Sequence, residues 1–246
     1  MLPLRDENIP GKGLPFVTLT VIAVNVLVFV FLQLPDDSFT YAWAAVPAEL
    51  TGGQDITGRV NVAGGSFVLG ASPEPIYLTV ISSMFMHGGW LHLGGNMLFL
   101  WIFGDNVEHA TGHLPFLLFY LGAGIVATLA HVYVQPESLI PLVGASGAIS
   151  GVLGAYLVMF PANRVLVVVF YVVMWVPALL VIGLWAVLQF INGFGQIAMT
   201  EQTAGVAYLA HIGGFLAGVA LGILLRAAGR VPSRSALQRA AQRGWR

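Results

Sequence analysis

The sequence predicts an all-α membrane protein of six transmembrane helices with a long first extracytoplasmic loop, and three observations carry that prediction. Only 9% of the 246 residues are charged while 57% are hydrophobic, where a soluble domain carries about 25% charged residues. The 10 Lys+Arg and 11 Asp+Glu side chains leave six long charge-free stretches, at 13–35, 75–104, 109–136, 138–163, 165–200 and 202–225. Those stretches do not alternate polar and apolar residues as barrel strands do; Val165 to Phe170 is apolar throughout. This composition excludes an ordinary soluble domain, a disordered chain and a nucleic-acid binder, which needs a basic surface. The absence of cysteine excludes a disulfide scaffold, thiol catalysis and Cys-ligated zinc or iron–sulfur sites.

Taken in order, residues 1–15 read as a short cytoplasmic segment with Arg5 and Lys12. The first span, 16–34, is longer than the roughly 15-residue limit of a signal-peptide core, and Pro35-Asp36-Asp37 separates it from the Ala42–Ala44 cleavage-like motif. It is therefore read as a retained anchor. The connection 35–84 contains Gly52-Gly53, Gly64-Gly65, Pro73 and Pro75, and a segment that long is more often functional or peripheral than inert. Its Phe39, Tyr41, Trp43, Phe67 and Leu69 point to the membrane interface, with a solvated loop as the alternative. Spans follow at 85–104, 114–134, 144–160, 165–191 and 204–225, each set by the need for about 20 apolar residues to cross the hydrocarbon core. The membrane domain is thus 16–226, and 227–246 is a basic cytoplasmic tail.

An even number of spans puts both termini on one side. That side collects Arg5, Lys12, Arg164, Arg226, Arg230, Arg234, Arg239, Arg243 and Arg246, against Arg59 alone on the other. The positive-inside rule makes it the cytoplasm. A short N-terminus without transit-peptide character points to a bacterial plasma membrane. No internal repeat stands out, which weakens a transporter built from inverted halves.

Intramembrane polar residues are costly, and three clusters of them need explaining. His87 precedes Gly88-Gly89, and His92 and Asn96 follow at i,i+4 on one face of the second span. Gly144-Ala145-Ser146-Gly147 opens the fourth span, and His211 lies early in the sixth. Spans two, four and six run in the same direction, so all three clusters meet at one depth near the outer face. Gly147 and Gly151 lie at i,i+4 on the fourth span and Gly214, Gly218 and Gly222 form one stripe on the sixth, and small faces of this kind let helix backbones approach closely enough to bring serine and imidazole together. Serine beside imidazole suggests acyl transfer, with His211 as base, Ser146 as nucleophile, and N–H donors from His92 and Asn96 for the oxyanion. Glu201 is the acid nearest to His211 in sequence and falls in the outer loop, so a dyad is read, its imidazole oriented by packing or water. Read singly, each piece has a plainer meaning: a serine in a Gly-rich helix start packs and bonds its own backbone, and Ser150 is read that way. His109, His113 and His131 are read as interfacial.

These residues resemble the rhomboid family of intramembrane serine proteases. Gly144-Ala145-Ser146-Gly147 is similar to the family's GxSG motif, Ala210-His211 with Gly213-Gly214 to its histidine segment, and His87, His92 and Asn96 to its H-x4-H-x3-N pattern. Phe103-Gly104-Asp105-Asn106-Val107-Glu108, with Gly112 after it, resembles the family's cytoplasmic turn. Inactive relatives lack the Ser or the His, whereas this chain has both. The resemblance implies a six-helix rhomboid-like bundle and a serine endopeptidase cleaving single-pass transmembrane substrates near the outer face of the bilayer. It also implies Ser146 as nucleophile, His211 as base, His92 and Asn96 lining the oxyanion hole, and His87, Gly144 and Gly147 in support, with no metal and no cofactor. The fifth span and Asn192–Thr203 would form the gate and cap. Ser150 stands one turn after Ser146, where many relatives carry an aromatic residue, and Trp43 has no adjacent Arg.

The rival readings are three. A metalloprotease lacks His-Glu-x-x-His, an aspartyl protease lacks a second intramembrane Asp beside Asp105, and a rhomboid-like chaperone or transporter would use the polar cluster for binding alone.

Overall fold

The computed structural model describes residues 1–7, 13–62, 65–198 and 206–231. Strand β1 (Leu2–Asp6) leads into α1 (Phe16–Val28), which continues through a π-helical turn at Phe29–Gln33. Helices α2 (Asp37–Trp43) and α3 (Pro47–Gly52), the hairpin β2 (Gly58–Val62) and β3 (Gly65–Leu69), and the short α4 (Thr79–Ser82) then fill the first connection. After them come α5 (Trp90–Thr111), α6 (His113–Val134), α7 (Ser146–Met159), β4 (Arg164–Val169), β5 (Val172–Pro177), α8 (Ala178–Ala198) and α9 (Tyr208–Ala227).

Among the described residues four helices are long and apolar enough to cross a membrane: 16–33, 113–134, 178–196 and 208–227. The sequence leads one to expect six. Of the other two long elements, α5 is diluted by His92, Asn96, Asp105 and Glu108, and α7 has only 14 residues. The fold is mostly helical rather than all-α. Residues 165–177, expected as the first half of the fifth span, form a β-hairpin instead, and α8 starts only after Pro177. The run is rich in β-branched valines, which favour extended backbone. A continuous apolar run does not by its pattern distinguish a buried strand from a helix.

Strand β4 is the centre of a three-stranded antiparallel sheet, with β1 on one side and β5 on the other. The segment expected as a plain N-terminal tail is therefore partly built into the fold. Val165 and Val167 point into the helical core beside Ala178, Val181 and Ile182. In the same inward row Asp6 is buried, accepting hydrogen bonds from Asn106 Nδ2 (2.7 Å) and the Tyr156 hydroxyl. Burial, offset by these donors, pushes the Asp6 carboxyl up from 3.8 to about 6. A raised carboxyl pKa means that the folded chain holds this proton to higher pH than the unfolded chain. The stabilisation is complete below about pH 4 and is lost as pH rises through about 6, amounting to on the order of 3 kcal/mol. Asp6→Asn should therefore flatten the difference in melting temperature of the solubilised protein between pH 4.5 and 7.5. An unchanged slope would remove Asp6 as its source.

The first connection is ordered rather than irregular. Asp36 caps α2 by accepting from Ser38 N–H (2.9 Å), and buried Glu49 accepts from Ile56 N–H (3.1 Å) and the Ser72 hydroxyl (3.0 Å). Tyr41 stacks on Phe67 with ring centroids 5.4 Å apart. At the start of α1, Pro15 offers no side-chain cap. Glu108 of α5 takes that role, accepting from Val17 N–H (2.8 Å), Thr18 N–H (2.7 Å) and the Thr18 hydroxyl (2.6 Å). A carboxylate at a helix N-terminus satisfies orphan donors and complements the dipole.

The tightest contact in the bundle is α7 against α9. A Cβ built on Gly218 would stand 1.8 Å from Gly151 O, one on Gly214 2.0 Å from Gly147 O, and one on Gly154 2.2 Å from Phe215 O. The glycine faces expected from the sequence do meet, and Gly154 joins them.

Candidate active site

The site lies where the N-terminus of α7, the first turns of α5 and α9, and the middle of α8 converge. Gly144 enters it with φ +128°, a conformation that side chains rarely adopt. A Cβ there would come within 2.9 Å of His92 Nε2. The Gly144 N–H is held by Ser83 O (2.9 Å), and the chain then turns into α7 with Ser146 as its first residue. Helix starts leave their first amides without intrahelical partners.

The Ser146 hydroxyl lies 2.8 Å from His211 Nε2. This is the approach that the α7–α9 glycine contact makes possible. His211 Nδ1 lies 2.8 Å from Gln189 Oε1 of α8. An amide oxygen only accepts, so Nδ1 carries the proton and Nε2 is left as the acceptor for the serine hydroxyl. That is the tautomer a general base requires.

Sequence reasoning found no orienting partner for His211, and Gln189 was missed. A signal existed: Gln189 is the one polar side chain, tryptophan apart, between Ala178 and Ile191, and such residues are expensive in a membrane. One turn earlier on the same helix, Trp185 has its ring 6.1 Å from the His211 ring, and Tyr208 approaches within 6.4 Å. The aromatic contact absent at Ser150 is thus supplied from α8 and α9. Ser150 itself donates to Ser146 O (2.6 Å), as a packing serine does.

On α5, His92 Nδ1 accepts from Gly88 N–H (3.2 Å), so its Nε2 carries the proton and faces Gly144. Asn96 is buried one turn on, its Nδ2 without a hydrogen-bond partner among the described residues. His87 is buried, neither ring nitrogen having a hydrogen-bond partner among the described residues, and packs edge-on against His92, centroids 5.1 Å apart. Its peptide is clamped from the π-helical turn: Gln33 Nε2 donates to His87 O (3.0 Å) and His87 N–H donates to Gln33 Oε1 (2.9 Å).

A cavity of about 30 Å³ opens beside Ser146, lined by Ser83, Gly124, Thr128, Gly147 and Ala210 among others, room for roughly one or two waters or a small side chain. His131, expected at the interface, is instead buried. It falls on the α6 stripe with Gly124, Ala127 and Thr128 that faces the bundle. His109 is half-buried, its Nε2 2.8 Å from Gly13 O, and His113 is exposed and paired with Glu108. Of the expected gate and cap, residues 199–205 lie outside the described residues, as do 232–246 of the basic tail. Among the described residues no three His, Asp or Glu side chains converge as metal ligands do.

Comparison with known proteins gives a coherent set of matches. The family model described as "Rhomboid domain" matches residues 75–228. The chain is 32% identical over 215 residues to the Rhomboid protease GluP of Bacillus subtilis, covering 86% of this chain and 36% of that protein. It is 31% identical over 149 residues to Rhomboid protein 1, mitochondrial, of Saccharomyces cerevisiae, covering 59% of this chain and 41% of the relative. It is 39% identical over 77 residues to Rhomboid-like protein 11, chloroplastic, of Arabidopsis thaliana, covering 31% and 27%. The chain thus spans less than half the length of each of these three.

Proposed function

Since the chain belongs to the rhomboid family and is a multi-pass membrane protein, we propose that it is an intramembrane serine endopeptidase acting through Ser146 and His211. The observation that carries this reading is the line from Ser146 Oγ through His211 Nε2 and Nδ1 to Gln189 Oε1, with both steps 2.8 Å. His211 takes the Ser146 proton as Oγ attacks the scissile carbonyl carbon. The oxyanion that forms receives hydrogen bonds from His92 Nε2–H, Asn96 Nδ2–H and the Ser146 backbone N–H. Collapse expels the amine, which His211 protonates, and water then hydrolyses the acyl-enzyme by the same route in reverse. Gln189 holds the imidazole in the productive tautomer throughout, and His87, Gly144 and Gly147 shape the walls. The unpartnered Nδ2 of Asn96 supports its assignment as an oxyanion donor.

The substrates are single-pass transmembrane proteins. The small cavity beside Ser146 favours a small side chain next to the scissile bond, in a segment that unwinds readily. In this reading α5 and α7 complete six membrane-embedded helices. The Arg bias orients both ends of the 16–226 domain toward the cytoplasmic side.

A serine-directed fluorophosphonate is expected to label Ser146 and to stop cleavage of a tagged transmembrane substrate, while a chelator leaves cleavage unchanged. Inactivation by chelator without serine labelling would overturn the reading. Asn96→Ala should lower kcat by about 10²–10³ with little change in KM, as loss of one oxyanion donor does. An unaltered kcat would remove Asn96 from the oxyanion hole.

A further inference from the structure

The end of the bundle opposite Ser146 carries a feature that peptide-bond cleavage does not use. The β4–β5 hairpin closes with Val169 opposite Val172, so Phe170 and Tyr171 alone form its turn. Phe170 has φ +53°, at a position where tight hairpins favour glycine or asparagine. A bulky aromatic held there is strained, yet the strain serves no packing, since Phe170 is 91% and Tyr171 99% exposed. β5 has all of Val172, Val173, Met174 and Trp175 exposed, on both of its faces, and among the described residues no strand pairs with its outer edge. In water such a strand is an aggregation site.

Two observations say what covers it. First, its apolar surface is continuous with that of a membrane span: β5 passes directly into α8, whose Leu179, Leu180 and Leu184 are exposed in turn. Where hairpin and helix meet, an open groove of about 480 Å³ is lined by Pro161, Ala162, Arg164, Pro177, Leu179 and Leu180. Second, the surroundings are cationic. The Arg164 guanidinium has no ion pair among the described residues. Arg5 lies 5.2 Å over the Trp175 ring, and Arg226, bonded to Val158 O at the end of α7, lies at the same end. Of the acids there, Asp6 is hydrogen-bonded to Tyr156 and Asn106, and the Glu7 carboxylate meets the Arg164 backbone N–H rather than its guanidinium.

We propose that the β4–β5 hairpin is an interfacial anchor that seats an anionic phospholipid of the leaflet opposite the Ser146 end. Arg164 meets the phosphate, the groove takes the adjoining acyl chain, and Phe170 and Tyr171 insert at headgroup level. Aromatic residues and arginine are the side chains suited to that layer. The open edge of β5 excludes a deeper position, because unpaired backbone is not tolerated in hydrocarbon. The sheet is pinned against the bundle by Val165, Val167 and Asp6, so the anchor fixes the depth at which α8 enters the membrane.

The chain has no cysteine, so a nitroxide on Tyr171→Cys reports one site. In nanodiscs of phosphatidylcholine and phosphatidylglycerol, the label should be relaxed by oxygen and shielded from a nickel chelate, relative to a label on Gln54→Cys. Native mass spectrometry should find phosphatidylglycerol retained over phosphatidylcholine. Arg164→Gln should lose that preference by about fivefold, the effect of one basic side chain at an anionic surface. Nickel access equal to that of the Gln54 label overturns the anchor, as does dipolar broadening between two labelled copies, which would put a second chain on the hairpin. Unchanged lipid retention in Arg164→Gln overturns the seat. If Tyr171→Cys does not fold, Phe170→Cys gives the same reading. None of these measurements depends on Ser146, so the anchor and the protease reading fail separately.

Discussion

Ser146→Ala is expected to abolish cleavage of a transmembrane substrate, a fall of about 10⁵-fold or more, while the purified protein melts as the parent does. His211→Ala should do the same, because nucleophile and base act as one unit and removing either costs nearly as much as removing both. The distinguishing member of the series is Gln189. It touches the imidazole and not the substrate, so Gln189→Leu should slow acylation by about 10–10² and leave KM unchanged. That is less than the roughly 10⁴ lost when a charged orienting residue is altered in a serine triad, since an amide fixes the tautomer without stabilising imidazolium as strongly. Gln189→Glu keeps an acceptor oxygen and should retain more of the rate than the leucine variant. Full activity in Ser146→Ala would sink the serine mechanism, and equal rates in the two Gln189 variants would remove Gln189 as a positioning residue.

Gly218→Val should cost more stability than any other single change considered. Even the first atom of a side chain would stand 1.8 Å from Gly151 O and 2.9 Å from Ala155 N, both backbone atoms. Neither can swing away as a flexible side chain would, so α7 and α9 must separate along their length. Overpacking typically costs 1–3 kcal/mol, and a backbone clash of this depth should exceed about 3 kcal/mol. Separation would also pull Ser146 and His211 out of reach of each other, so activity and melting temperature should fall together. Gly183→Ala is the control. It sits in α8 with nothing within 4 Å of the added carbon, and the gain in helix propensity makes it neutral or slightly stabilising. A Gly218→Val protein with parental melting temperature would mean that the two helices are not held at the observed distance.

Much of the bundle was legible because its determinants are local. Charge-free length locates α1, α6 and α9 within a few residues, and the i,i+4 glycine spacings of Gly147 with Gly151 and of Gly214, Gly218 and Gly222 mark the faces that meet. Local signals fail where two structures satisfy the same pattern. Val165–Pro177 is apolar enough for a membrane helix and β-branched enough for a hairpin. β1 tips the balance by pairing along β4 from more than 150 residues away in sequence, a partner that no window of sequence contains. His131 departs from expectation for a related reason: nearness to a span end predicts an interfacial position, whereas its place on the bundle-facing stripe of α6 buries it.

The sequence by itself determined that this is a membrane-embedded member of its family, where α1, α6 and α9 run, and which uncharged polar residues are too costly at that depth to be incidental. These are properties of composition and of one helix at a time. Only the tertiary structure decided that Gln189 faces His211, that Trp185 supplies the missing aromatic contact, and that the first residues of the chain form a strand under the bundle. Each of those depends on how helices and strands distant in the chain are rotated and set against one another. That angle is fixed by the summed packing of many side chains, and no residue carries it alone.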